Sequence, residues 1–183
     1  MTVPWSQEGT VDESSLLLGD WSEVFAQDLS GNNYRIGNAP EGVLEIGREF
    51  VEHASTKFPR TTDLVIPSKV WMKFSGKIEE INRMNVSWLL GQSLAPANDY
   101  LYVGALETPT YFQFRGARKR VSDGVRIHFR MHKCLIRSLF SIGGGDGFAN
   151  APLELEAMDD TDGTYGGSAT NPLGWIWVPA KQT

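Results

Sequence analysis

The sequence has few of the features that anchor or cross-link a secreted protein. Its single cysteine, Cys134, excludes an internal disulfide and favours folding in a reducing cytoplasm, because disulfides persist mainly in oxidising compartments. No apolar run approaches the ~20 residues that a membrane-spanning helix needs. Residues 1–19 are acidic and lack the basic segment that begins a signal peptide. We therefore expect no disulfide framework and no membrane partner.

Recognisable catalytic and metal-binding signatures are also missing. His128 and His132 lie four residues apart in a predicted strand, which separates them by about 13 Å and is too far for one zinc ion. The acidic run 159–163 does not fit the register of a calcium loop, so a solvated turn is favoured. The Gly-rich run 143–147 lacks the Gly-Lys-Ser/Thr of a phosphate loop, and a packed thiol is favoured for Cys134. We expect no enzyme, no cofactor and no metal.

Charge is unevenly distributed along the chain. The formal net charge of −5 argues against general affinity for nucleic acid, because phosphate contacts need clustered Lys and Arg. However, eight of the 17 basic residues lie between Arg115 and Arg137, and acidic residues cluster at 154–162. Two solvated faces of opposite sign would explain this pattern. Alternatively, the basic face of one subunit meets the acidic face of a neighbour, a contact that repeats in a head-to-tail assembly. The candidates for that basic face are Arg118, Lys119, Arg120, Arg126 and Arg130.

Hydrophobic periodicity predicts a mainly β chain with one short helix, and the length of 183 residues predicts a single domain. Alternation with a period of two runs through residues 70–78, and at Glu79 it changes to helical spacing, in which Ile81, Met84 and Trp88 recur. The predicted helix therefore covers about residues 79–90. The long strand that leads into this helix is predicted to begin at residue 64. Other strands are predicted at 20–25, 42–51, 100–106, 110–115, 124–140, 153–158 and 175–178.

Three polar segments fall outside this strand pattern. Residues 1–17 are predicted to form a flexible N-terminal arm, and residues 143–172 a polar, Gly-rich insertion or arm. Residues 52–63 form a predicted loop of about a dozen residues, longer than the usual connection in a compact domain. Such a length favours a functional loop.

The run from residue 42 to residue 91 resembles the centre of bacteriophage tail tube (major tail) proteins. The matching elements begin with an early strand and a polar loop that ends in the Lys-Phe-Pro-Arg of 57–60. A strand follows that contains the Ile-Pro of 66–67 and the Phe-Ser-Gly of 74–76. The acidic strand-to-helix passage 77–82 and the Leu-Leu-Gly of 89–91 complete the match. The resemblance implies a β-sandwich or barrel-like fold with one flanking helix. It also implies that six subunits form a ring and that rings stack into a hollow tube.

The resemblance further implies a structural role in the virion. Such a tube is assembled in the host cytoplasm, encloses a tape measure protein, joins other tail proteins and conducts double-stranded DNA during ejection, with only transient, non-specific contact in the lumen. A negatively charged lumen would not bind the DNA phosphates and so would not retain the duplex. Glu154 and Glu156 are therefore candidates for residues that face the lumen. Lys57, Phe58 and Arg60 are candidates for inter-ring contact. Helix residues Ile81, Met84 and Trp88 would pack on the outer face of the sheet.

Two alternatives stay open at this point. A tail terminator or baseplate subunit would share the architecture and stop at one ring. A carbohydrate-binding β-sandwich module would use some of the six tryptophans, although packing is the more common role of buried aromatic residues. The sequence leaves open the contractile or non-contractile type of tail, the host, the strands that face the lumen and whether the N-terminal arm orders only on assembly.

Overall fold

Eight β-strands and one helix make up the described part of the chain. The computed structural model describes residues 21–39, 41–54, 62–92, 110–120, 124–138, 141 and 151–179. The elements are β1 (Trp21–Gln27), β2 (Asn33–Ala39), β3 (Val43–Ala54), β4 (Thr62–Ile78), α1 (Arg83–Leu89), β5 (Phe112–Lys119), β6 (Arg126–Ile136), β7 (Ala151–Met158) and β8 (Gly174–Trp177). The predicted mainly β fold with one short helix is confirmed.

All strands belong to one antiparallel sheet with the order β2-β1-β5-β6-β7-β4-β3. β5 lies along one edge of β6. β7 and β8 follow one another along the other edge, where β7 pairs with Lys133–Ile136 and β8 with His128–Met131. The segment between them, residues 159–173, is an excursion on the side of the sheet that faces away from the core.

The hydrophobic core lies on one face of the sheet, which curves so that β2 and β4 approach each other. The rings of Phe74, Phe114 and Phe129 contact one another with centroids 5.0–5.8 Å apart. Trp21 packs edge-on against Phe129. Cys134 is fully buried in this core, and burial raises the pKa of its thiol.

The helix closes the core from one end. Asn82 caps it, because its side chain accepts the backbone N–H of Asn85 at 2.9 Å. The Asn85 side chain is buried and donates to the carbonyls of Ile36 and Glu80, which ties the helix to β2. Trp88 is 1% exposed and its ring lies 5.0 Å from that of Phe112. The helix therefore covers the core face of the sheet, and Ile81 and Met84 also pack against the core. Whether this face is the outer one in a tube stays a prediction.

Several boundaries differ from those predicted. The helix begins at Arg83 and not at residue 79, since Asn82 is extended and caps the helix there. β2 was not predicted, because the Ser-Gly-Asn-Asn turn signal overlaps its first residue. The long predicted loop 52–63 is shorter at both ends, because β3 extends to Ala54 and β4 begins at Thr62. The intervening residues 55–61 lie outside the described residues.

The strand predicted at 153–158 is confirmed as β7, Ala151–Met158, a central strand whose alternate side chains are buried. It lies inside the range 143–172 that the composition predicts as a polar insertion or arm. This stretch therefore belongs to the sheet. The predicted arm 1–17 and the predicted strand 100–106 lie outside the described residues. Within the described part, no helix is long and apolar enough to cross a membrane.

Candidate assembly surface

β3 and β4 form a two-stranded ribbon that extends beyond the rest of the sheet. Their pairing runs from Val43 opposite Ser75 to Ala54 opposite Thr62. β4 pairs with β7 only from Lys73 to Ile78. Over 62–72, β3 is therefore the one strand that pairs with β4 among the described residues. β3 is the last strand in the order, so among the described residues its outer edge is unpaired.

Apolar side chains are exposed on both faces of this ribbon. Val51 and Ile66 are opposite each other on one face, and both are more than half exposed. Phe50 and Val65 lie on the other face, where Phe50 is 54% exposed. A two-stranded ribbon is marginally stable by itself, and unpaired edges with exposed apolar residues favour association. The ribbon is thus a surface that another chain could cover.

β8 carries a second exposed apolar patch. Trp175 and Trp177 point to one side of the strand, and Ile176 and Val178 to the other. All four side chains are exposed. β8 is hydrogen-bonded to β6 along one edge, and its other edge is unpaired among the described residues. This patch and the ribbon, Val43–Ala54 with Thr62–Ile78, are the main apolar surfaces in the described part of the chain.

Four of the five predicted basic-face residues have partners within the chain. Arg126 forms an ion pair with Glu23 at 2.7 Å. The guanidinium of Arg118 lies 5.4 Å from the ring centroid of Trp21, and Arg120 is buried and donates to the carbonyl of Pro179. Arg130 donates to two glutamine side chains. Lys119 is exposed. Lys119 lies opposite Arg126 in the β5–β6 register, whereas Arg118 points to the other side, towards Trp21. The role of these residues in contact between subunits stays a prediction.

The predicted lumen residues share the outer face of β7, opposite the core. Glu154 is exposed, whereas Glu156 is half-buried and accepts from Arg137 Nε at 3.0 Å. Across the sheet, Glu156 lies opposite Lys73, and a shallow groove here is lined by both charges. This part of the outer face therefore carries mixed charge. The prediction that Glu154 and Glu156 face a lumen concerns the assembled ring, and it stays a prediction.

The sequence predicts a solvated turn for the acidic segment after β7. In the structure, this segment is partly buried. Asp160 is inaccessible to solvent, and its carboxylate accepts the backbone N–H groups of Tyr165 and Gly167 at 2.7–3.1 Å. These bonds fold 159–167 back onto the outer face of β5 and β6. Among the residues that the structure describes, no group of three or more His, Cys, Asp or Glu side chains could hold a metal ion.

Sequence reasoning missed both exposed patches. The alternating pattern of 70–78 predicts a half-buried strand, but whether a neighbouring strand covers its edge depends on topology. The predicted inter-ring residues Lys57, Phe58 and Arg60 lie outside the described residues.

Comparison with protein families gives no match, and comparison with curated proteins gives none either. Among solved structures, the chain is similar to a chain of the virion of a native gene transfer agent (GTA) particle, with 14% sequence identity and a TM-score of 0.44. It is similar to the same extent, with 15% identity and a TM-score of 0.44, to a chain of the tail of an empty GTA particle with C6 symmetry. Each similarity covers 75% of this chain and 91% of the other. Similarity at this level does not establish a shared fold.

Proposed function

We propose that this protein is a structural subunit of a phage tail that associates with copies of itself through the β3–β4 ribbon. In this proposal, six subunits form a ring, and rings stack into the tube that encloses a tape measure protein and conducts DNA during ejection. The protein acts in the virion after assembly in the host cytoplasm, contacts other tail proteins and is not an enzyme. The expectation of a tail tube comes from the sequence resemblance, and the ribbon supplies its physical support.

The observation that carries the proposal is the combination of open edges and exposed apolar residues on one element. Monomeric proteins usually protect a long edge strand with charges, bulges or a covering loop. Pro67 lies in the exposed half of β4 at a register shift, which interrupts pairing at one point. Phe50, Val51, Val65 and Ile66 nevertheless remain exposed around it. A second copy that pairs with either edge would bury these residues and complete the ladder.

Electron microscopy of the purified full-length protein tests this proposal. We expect negatively stained samples at increasing concentration to contain rings and then hollow tubes. Discrete rings that never stack would favour the terminator or baseplate alternative. A protein that remains monomeric at millimolar concentration, by sedimentation velocity and by microscopy, would contradict the proposal.

A carbohydrate-binding module is the second candidate, and one observation favours it. Trp175 and Trp177 lie two residues apart on the same side of β8, and both are exposed, the latter by 51%. Aromatic side chains presented in this way can stack on sugar rings. Binding on a glycan array that is lost in Trp175→Ala and Trp177→Ala, in a protein that does not associate, would favour this function. The same two tryptophans would be covered by a neighbouring subunit under the first proposal.

A further inference from the structure

Two arginines face each other across β5 and β6 on the side of the sheet away from the core. Arg115 is the direct register partner of Arg130. Both side chains are half-buried, so part of each remains in contact with solvent. Like charges directly opposite on neighbouring strands destabilise a sheet, because side chains at paired positions are close together. The pair therefore calls for a compensating negative charge.

The partners that the structure gives these arginines are neutral amides. The Gln27 side-chain oxygen accepts from Arg115 at 2.7 Å and from Arg130 at 3.2 Å. The Gln113 side-chain oxygen also accepts from Arg130. Among the described ion pairs, none involves Arg115 or Arg130. Burial, followed by the charge of Arg115, lowers the pKa of Arg130.

Several buried nitrogen atoms of this cluster have no hydrogen-bond partner among the described residues. They are the Nε atoms of Arg115 and Arg130 and both ring nitrogens of His132, a side chain that is 1% exposed. Buried polar atoms without a partner are uncommon in folded proteins. Three of these four nitrogens can donate, namely the two arginine Nε–H groups and one N–H of the His132 ring, so a group that accepts hydrogen bonds would satisfy them.

The excursion between β7 and β8 brings the donors together. Gly166 lies over the cluster, and a β-carbon at this position would be 3.5 Å from Gln113 Nε2, 3.7 Å from Arg130 Nη2 and 3.8 Å from His132 Nδ1. The carbonyl of Tyr165 accepts from Gln113 Nε2 at 2.5 Å, which fixes the amide so that its oxygen faces Arg130. The nitrogen atoms therefore converge beside a residue that has no side chain.

We propose that Arg115, Arg130 and His132 form a binding site for one small oxyanion, a phosphate or a carboxylate group. Guanidinium groups hold such oxyanions through paired N–H donors, and the bound charge would relieve the repulsion between the two arginines. His132 would add one N–H donor. The site is separate from the ribbon and is complete within one subunit, so it does not rest on the proposed assembly.

A thermal-shift titration of the full-length protein tests the site with sodium phosphate, sodium acetate and sodium chloride at equal ionic strength. An oxyanion at 100 times its Kd should raise Tm by about 5–10 °C, because it binds the folded state only. Arg130→Gln should lose this response. Arg115→Lys should also lose it, although this variant keeps the positive charge, because lysine lacks the paired N–H donors of a guanidinium group. Lys119→Gln, which removes an exposed charge from the same strand β5, should keep it.

The three salts separate the possible ligands. A response to phosphate alone assigns the site to a phosphate group, and a response to acetate alone assigns it to a carboxylate. Equal Tm values in all three salts would overturn the proposal. So would a phosphate response that survives in Arg130→Gln, or an Arg130→Gln protein that is more stable than the wild type in phosphate, since repulsion would then be the dominant effect. If Arg130→Gln does not fold, Arg115→Lys gives the same comparison.

Discussion

Phe50 of β3 lies opposite Pro67 of β4, at a register shift in the ribbon where neither strand has a further partner among the described residues. Pro67 has no backbone N–H, so it weakens the ladder at the point where Phe50 is exposed. The ribbon beyond this pair therefore has little stabilisation from its own subunit. Its exposed apolar residues are explained if another chain covers them.

Replacement of Phe50 by serine should prevent self-association and leave the fold intact. Phe50 is exposed in the single subunit, so we expect the free energy of unfolding in urea to change by less than about 0.5 kcal/mol. Sedimentation velocity should show rings or tubes for the wild type and monomers for Phe50→Ser. The matched control is Leu29→Ser, at an exposed apolar residue in the β1–β2 turn, which should assemble normally. Normal assembly of Phe50→Ser would exclude the ribbon as the contact surface.

Trp88→Ala should strongly destabilise the subunit, because Trp88 is buried against Phe112 and Phe114. Truncation of a buried tryptophan costs about 3–5 kcal/mol through lost burial and the cavity left behind. Urea unfolding of the dissociated protein measures this loss. Trp175→Ala serves as the control and should cost less than about 1 kcal/mol, since Trp175 is exposed. An unchanged melting temperature in Trp88→Ala would contradict the role of the helix as a cover for the core.

Gly116→Ala should destabilise the sheet through overpacking. A β-carbon at Gly116 would collide with the ring of Phe129 on the neighbouring strand. Overpacking of this kind costs about 1–3 kcal/mol. Because the cause is one contact, a double-mutant cycle with Phe129→Leu should show favourable coupling, so that the double variant loses less than the sum of the single variants. Strict additivity in urea unfolding would show that the contact with Phe129 is not the cause.

Stability should fall as the pH is lowered from about 7 to 5, and His132 should account for part of the decrease. Burial, and secondarily the charge of Arg130, lowers the pKa of His132, while the charge of Asp160 and the nearby backbone of Tyr165 act in the opposite direction. The unfolded state then binds a proton near pH 6.5, before the folded state does. This contribution is present above pH 6.5 and is lost as the pH falls towards the folded-state pKa. His132→Gln should flatten the Tm profile over this range, and a profile of unchanged slope would contradict this role of His132.

Most of the strands could be predicted from the sequence, because their alternation reflects one buried and one exposed face. The strand at 70–78 and the change to helical spacing after Glu79 are local signals, and both appear in the structure. β2 could not be predicted in this way, since its Asn-Tyr-Arg-Ile-Gly-Asn-Ala sequence has weak alternation and polar ends. It becomes a strand because it pairs with β1, a contact set by tertiary structure.

The candidate site was less accessible to sequence reasoning. An exposed strand edge is a property of topology, and nothing local distinguishes Ile66 from a core residue. The same holds for the cluster at Arg115 and Arg130, which appeared in the sequence only as two members of a long basic run. Pairing of β5 with β6 brings them opposite each other, and the buried Asp160 folds a cover over them. The predicted inter-ring residues remain a prediction.

Amide hydrogen exchange measured below and above the concentration of assembly tests the central claim most directly. If a second copy covers the open edges, amides of 50–52 and 65–70 should exchange rapidly in the dissociated protein and become protected in the assembled one. Core amides of β5 and β6 should be protected in both. Ribbon amides that exchange at the same rate in both states, while protection appears elsewhere, would contradict the account.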